Sequence, residues 1–289
     1  MRQAFFTFLK GVAIGAVDII PGVSGGTMAL ILKIYDKILG QLQKINLNLL
    51  KNFLRGRFKL VFTQIDGKFL VALILGIASA IFSLSHLISW GLEKYPGYLF
   101  SLFFGLIIAS SILLIPKDSL KIKPILFLIL GLILAFLITS LSPANTPETY
   151  LFIFLSGAIA ICAMILPGIS GSFVLLLLGK YQFMLEAIKN PLAAHNIIII
   201  IIVVLGCIIG LLSFSRFLNF LLKKYYTPTL MLLIGFMLGS LNKIWPFKIE
   251  GQNVWPAINQ EFFISLGLAI IGILIAYFLG KVKPEEKSS

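Results

Sequence analysis

Two short polar segments set inside apolar surroundings carry the residues able to do chemistry: Pro21-Gly22-Val23-Ser24-Gly25-Gly26-Thr27 and Pro167-Gly168-Ile169-Ser170-Gly171-Ser172. A proline removes an amide donor and ends an incoming helix, yet fits the first position of a new one, and glycine admits backbone angles that other residues resist. Each segment therefore reads as a break from which a fresh helix starts at membrane depth. The first amides of such a helix lack intrahelical acceptors and lie at the positive end of its dipole. Beside the hydroxyls of Ser24, Thr27, Ser170 and Ser172 they suit an anion, and the residues of both segments are the candidate substrate-binding set. A simple kink without a ligand is the alternative, since such breaks occur in many membrane helices. Two copies in register favour the site, because paired interrupted segments in matching halves of a transporter point to its binding site.

Three further polar residues interrupt apolar runs. Asp18 stands three positions before Pro21, whereas the matching residue of the second copy is Met164. A carboxylate at membrane depth costs about 2.5–3.5 kcal/mol on insertion scales, so it should face a cavity or a partner. It is a candidate for coupling to a proton or a cation, with a helix cap or ion pair as the structural alternative. Arg216, in SFSRFLNF, occupies the place of His86 in SLSHLISW. A guanidinium offers a fixed fork of donors suited to phosphate, and a histidine is charged only at lower pH unless a neighbour intervenes. Arg216 joins the substrate-binding candidates and His86 the coupling candidates, with snorkelling towards Lys223 as the plain reading of Arg216.

The elements that must position these groups follow from composition. Hydrophobic residues make up 59% of the 289, charged residues 12%, and the mean hydropathy is +1.03. These proportions describe an all-α polytopic membrane protein forming one membrane domain over residues 1–289, with no room for a separate soluble unit. The net charge of +13 comes from short loops between apolar spans, a pattern set by membrane orientation and not by a nucleic-acid partner. Cys162 and Cys207 lie in apolar runs and read as structural thiols. With two histidines and no clustered ligands, neither metal nor cofactor is expected. The N-terminal stretch runs into Asp18 without a small-residue cleavage site and reads as mature sequence.

Repeat 1 spans residues 1–145 and repeat 2 residues 146–289. Gly15–Leu39 matches Ile161–Leu185 at an offset of 146. Beyond them Gly76, Lys94, Tyr95 and Gly105 match Gly206, Lys224, Tyr225 and Gly235 at an offset of 130, the first half having the longer basic loop. Each half holds one broken hairpin, re-entrant or fully crossing, followed by three spans: near 69–92, 97–115 and 124–141, then 197–222, 229–241 and 262–280. A half with three crossings and one re-entrant hairpin leaves the membrane opposite its entry, so the repeats should be inverted. With both termini cytoplasmic, Lys and Arg divide as 16 inside, 4 outside (Lys94, Lys189, Lys243, Lys248) and 4 at the border (Lys10, Lys33, Lys180, Arg216), as the positive-inside rule requires. The Asn46–Leu54 segment reads as a helix on anionic lipid headgroups or as a solvated linker, and Trp245 and Trp255 as interfacial anchors.

The stretches GAVDIIPGVSGGTMALIL, ILPGISGSFVLLLLGKY and FSRFLNFLLKKY…LLIGFMLGSLNKIWPF, in that order, resemble the bacterial polyprenyl-phosphate (undecaprenyl phosphate) translocase family, PopT, over nearly the whole chain. The resemblance implies a flippase of the bacterial plasma membrane. It would return undecaprenyl phosphate from the outer to the inner leaflet for cell-envelope synthesis, with this lipid as substrate partner, and would not be an enzyme. An integral-membrane polyprenyl-pyrophosphate phosphatase is the alternative from another class, although neither break offers the glutamate or histidine base that chemistry requires. An ion-coupled small-anion transporter is the third reading.

Overall fold

The computed structural model describes residues 2–20, 22–116, 121–191 and 193–281; Pro21, the part of the basic turn from Lys117 to Leu120, and the tail from Val282 lie outside the described residues. The first half runs α1 (Arg2–Asp18), α2 (Gly25–Ile31), α3 (Tyr35–Gln43), α4 (Leu47–Leu54), α5 (Phe58–Gln64), α6 (Gly67–Lys94), α7 (Pro96–Leu114) and α8 (Ile122–Ser140). The second half repeats the order without the two surface helices: α9 (Tyr150–Ile165), α10 (Gly171–Leu177), α11 (Tyr181–Lys189), α12 (Ala194–Lys224), α13 (Tyr226–Ser240) and α14 (Gln260–Gly280). A small antiparallel hairpin, β1 (Lys248–Ile249) and β2 (Gln252–Asn253), precedes α14.

Local chemistry sets the boundaries. Asp66 caps α6 through Phe69 N, Asn46 caps α4 through Leu49 N, and Asn259 caps α14 through Phe262 N. Pro96 opens α7, where its missing amide costs nothing. One residue, Tyr95, separates α6 from α7, and its counterpart Tyr225 separates α12 from α13 with nearly the same backbone angles.

Among the described residues, five helices are long and apolar enough to cross a membrane: α6, α7, α8, α12 and α14. The sequence reading expected six crossings. The sixth, α13, has 15 residues, about 22 Å at 1.5 Å per residue against a hydrocarbon core of about 30 Å. Ten of those residues are buried, so protein and not lipid surrounds α13, and it has no bilayer thickness to match. In α4 only Leu49 is buried, with Leu47, Leu50, Phe53 and Leu54 exposed among basic residues. This is the geometry of a helix lying on a surface.

Four helix pairs hold the core: α1 with α6, α9 with α12, α7 with α14 and α8 with α13. Lipid gives helices no hydrophobic reason to associate, so close packing over small residues must do it. A Cβ on Gly76 would overlap the carbonyl of Phe8, one on Gly206 that of Phe154, one on Gly105 that of Ala269 and one on Gly235 that of Leu128. Cys162 and Cys207 belong to the α9–α12 seam, half-buried, their thiols donating to Gly210 O at 3.6 Å and Gly157 O at 3.4 Å.

The seams also set direction. Gly11 meets Leu73 and Gly15 meets Ile77; Gly157 meets Val203 and Cys162 meets Gly210; Gly105 meets Ala269 and Leu113 meets Gly280; Gly131 meets Leu232 and Ala135 meets Gly239. Numbers climb together along every pair, so all four pairs are parallel.

The seams give a contrast between two glycines. Gly76→Leu should destabilise the protein by about 1–3 kcal/mol or prevent folding, whereas Gly267→Ala, with open space around it, should leave stability unchanged or raised. Thermal unfolding of both variants in detergent checks this, and equal melting temperatures would contradict close packing at Gly76.

Candidate functional site

Both breaks are built alike. After α1, Val23 N donates to Ile20 O, Gly22 takes a positive φ of +90°, and Ser24 caps α2; after α9, Gly168 takes +88° and Ser170 caps α10 through Phe173 N at 3.2 Å. Only glycine holds that angle at no cost, which explains its place beside both prolines. A second break follows each short helix, at Lys33 (φ +57°) and Gly179 (φ +64°), and α11 leaves α10 at 111°. The sequence reading did not include these second breaks; a helix stop at Lys33-Ile34 and Gly179-Lys180 is their only local sign.

The short helices turn back instead of crossing. Leu177 O accepts from Ala144 N at 2.8 Å, Leu178 O from the Thr146 hydroxyl at 2.6 Å, and Lys180 Nζ donates to Thr146 O at 2.6 Å. Residues 144–146 lead into α9, so α10 ends beside the start of the helix that brought the chain in. In the first copy, Lys33 Nζ donates to Gly280 O at the end of α14 at 2.8 Å.

The first hairpin then docks on the break of the second. Thr27 Oγ1 accepts from Gly168 N at 2.8 Å, Tyr35 OH donates to Ile165 O at 2.8 Å, and Ser24 Oγ donates to Leu166 O at 3.4 Å. These bonds satisfy one amide and two carbonyls that the break in α9 takes out of helical pairing. Gly26 lies so near Ile165 O that a Cβ would stand 2.9 Å away. Ser24 and Thr27 are each 1% exposed; Gly22, Gly25, Pro167 and Gly168 are buried, Gly26, Ser170 and Gly171 half-buried and Ser172 exposed. The second motif thus has the open side, where the Ser170 and Ser172 hydroxyls lie 3.3 Å apart.

Asp18 accounts for the chemical difference between the copies. Its Oδ1 accepts from Gly25 N at 2.6 Å, while Ser24 Oγ accepts from Gly26 N at 3.1 Å, so the first amides of α2 are taken by the chain itself. A Cβ on Gly25 would lie 2.5 Å from both Asp18 oxygens. The exposed Met164 has no oxygen to offer α10. Arg216 and His86 are both exposed, and Arg216 donates from Nη2 to Ile45 O at 2.8 Å, just past α3, as a basic residue does for the last carbonyls of a helix. Its described bond goes to the loop after α3 and to neither break.

Lys243, read from sequence only as an outer-loop charge, touches both breaks. Its side chain packs on Gly22, and its ammonium lies 4.5 Å from the ring of Phe173 in α10. Just before it, Ser240 packs on Gly168. Lys243 has no acidic partner among the described residues, and burial holds its ammonium below the usual lysine range. Lys248 donates from Nζ to Lys243 O at 2.6 Å and is likewise lowered, first by burial and then by the charge of Lys243. The arrangement can neutralise an anion brought to the junction. The sequence signal was present, since Lys243 and Lys248 are two of the four basic residues that the sequence reading assigns to the outer side, where such residues are expected to be few.

Thr27→Val should leave Gly168 N buried without an acceptor and cost about 1–3 kcal/mol, while Thr27→Ser should keep most of the stability. Hydrogen exchange at Gly168 in the two variants checks this; equal protection would remove Thr27 from the junction.

Comparison with known proteins bears on what the junction serves. The family model for VCA0040-like, undecaprenyl phosphate translocase-like proteins matches residues 14–262. A polyprenyl-phosphate transporter of Vibrio cholerae is 48% identical over 243 residues, covering 84% of this chain and 78% of the relative. A polyprenyl-phosphate transporter of Staphylococcus aureus is 32% identical over 298 residues, covering 98% of each. No solved structure matches the chain. A family match that takes in both breaks, Lys243 and Lys248, joined to identity of this level over most of the chain, makes this protein a member of the undecaprenyl phosphate translocase-like family.

Proposed function

We propose that this chain carries polyprenyl phosphate across the bacterial plasma membrane, from the outer to the inner leaflet, with the phosphate ester intact. The observation that carries the reading is the docking of one re-entrant hairpin on the break of the other, in a chain of this family.

The route follows from direction. On this reading the elbows at Tyr95 and Tyr225 reverse the chain, as the contact of Gly91 with Leu99 supports, and with the four parallel pairs every helix of the second half runs opposite to its counterpart in the first. The repeats are inverted on this reading, with α1 and α9 entering from opposite faces. The face from which α1 enters bears most of the lysines and arginines and is the cytoplasmic one. The isoprenyl tail stays in lipid, where it costs nothing, and the headgroup must not cross bare. It passes the junction against the Ser170 and Ser172 hydroxyls and Lys243, and reaches Arg216 at the cytoplasmic end.

Coupling falls to Asp18. Its carboxylate holds the tip of the first hairpin closed through Gly25 N. A proton removes the charge, weakens that bond and loosens the tip; a sodium ion would act through the same oxygens.

Proteoliposomes loaded with polyprenyl phosphate test the reading under imposed pH and sodium gradients. Asp18→Asn should fold normally and lose most of the gradient-driven component; transport unchanged across a pH series would leave Asp18 a cap only. Arg216→Lys should impair transport less than Arg216→Gln, since lysine keeps the charge and loses only the fork. Equal activity of glutamine and wild type would reduce Arg216 to its bond with Ile45. Release of inorganic phosphate without movement of the lipid would overturn the transport reading itself.

A further inference from the structure

Apart from the junction, an open cavity of about 610 Å³ is formed by the end of α6, the start of α7, the loop through β1 and β2 and the start of α14. Lys94, Lys248 and Glu261 are its charged residues, and Tyr95, Phe100 and Trp255 are part of its wall. We infer that this cavity takes the phosphate monoester headgroup and first isoprene unit of the lipid on the outer face, and passes the phosphate to the junction through Lys248 and Lys243. The inference rests on the transport reading above.

Charge is the first support. The outer side carries four basic residues in all, and three of them, Lys94, Lys243 and Lys248, line the cavity or abut it. Membrane insertion does not require them there and the positive-inside rule disfavours them. Two cations against the single carboxylate of Glu261 leave the cavity wall net positive.

Unused donors are the second. The Lys248 ammonium has three N–H groups; one goes to Lys243 O at 2.6 Å, and the nearby Phe100 ring, 5.2 Å from Nζ, attracts the charge without accepting a conventional hydrogen bond. Lys94 has no ion-pair partner among the described residues. Burial and the neighbouring Lys243 both destabilise the charged form of Lys248, and a phosphate beside it would relieve both.

Shape and connection are the third. The volume lies within the roughly 300–1,000 Å³ of small-molecule sites, more than a free phosphate needs. Tyr95 stacks on Tyr98 at 5.8 Å, and Trp255, 89% exposed, stands at the rim, where aromatic rings favour the headgroup level of a bilayer. Lys248 is bonded to the backbone of the same residue whose side chain lies on Gly22 and beside Phe173, so one residue links the cavity to both breaks.

Calorimetry on the full-length protein in detergent tests this, with farnesyl phosphate, farnesol and inorganic phosphate as probes. Farnesyl phosphate should bind more tightly than either of the others. Lys248→Gln should weaken it about tenfold or more, the scale of one charge-assisted hydrogen bond, with substantial recovery in Lys248→Arg; Lys94→Gln should weaken it less. Lys59→Gln, a charge change on α5, should have no effect. Equal binding by farnesol would make the cavity merely apolar, equal binding by inorganic phosphate would make it a free-anion site, and wild-type binding by Lys248→Gln would place the headgroup elsewhere; each overturns the inference. Transport separates the two readings. If the wild type moves lipid and Lys248→Gln does so with unchanged apparent affinity, the cavity role falls and the transport reading stands. If farnesyl phosphate binds as described and the wild type moves no lipid, the transport reading falls instead.

Discussion

A helix interrupted at membrane depth exposes amides and carbonyls where water cannot reach them, and each one left unpaired costs several kcal/mol. This chain interrupts two helices and satisfies much of the demand by making each break the partner of something else. Thr27 accepts from Gly168 N, Tyr35 donates to Ile165 O, Ser24 to Leu166 O, and Asp18 accepts from Gly25 N. Neither hairpin could hold its shape alone, and the rest of the molecule serves to bring the two together. The glycine seams set the long helices close enough, and the short, buried α13 delivers Ser240 and Lys243 to the two breaks.

The junction is unequal in a way that suits a carrier. The first motif is closed, its polar groups spent within the protein, and its own carboxylate occupies the amide of Gly25. The second is more open, with two hydroxyls and a lysine close to its first turn and Met164 in place of the acid. A symmetrical pair of closed breaks would be a rigid strut, and a symmetrical pair of open ones would leave backbone groups unpaired in lipid. On the proposed function, one firm side and one adaptable side would let an anion compete for the junction without the fold depending on it.

Much of this was legible in the residues. The spans, and the glycines and tyrosines that match between halves, follow from apolar length and repeated spacing, and of the two readings of Asn46–Leu54 its amphipathic period pointed to the helix that is found. The second break in each hairpin was missed: in the first, Lys33 takes a left-handed angle without being glycine, and in the second the one sign is Gly179, a lone glycine in an apolar run. The stretch 229–241 was counted as a crossing like the others because hydropathy does not say whether an apolar helix meets lipid or protein. The contacts of Trp245, read only as an anchor, were not legible either: its indole donates to Val254 O and its ring packs between Phe104 and Trp255, with Trp255 at the surface. Lys243 was missed because its charge stood out only as one of the few basic residues expected outside, whereas its contact with residues 22 and 173 is a tertiary fact.

The central claim is that two re-entrant hairpins enter from opposite faces of the membrane and meet. Its most direct test is the sidedness of their ends. Single cysteines at Gln3, Lys44, Asn145 and Asn190, in a chain with Cys162 and Cys207 replaced by alanine, can be exposed to a membrane-impermeant thiol reagent on intact cells. Positions 145 and 190 should label from outside, and positions 3 and 44 only after the membrane is opened. Labelling of 145 and 190 from different sides would show that the second hairpin crosses, and labelling of 3 and 145 from the same side would show that the two do not oppose each other; either result contradicts the account.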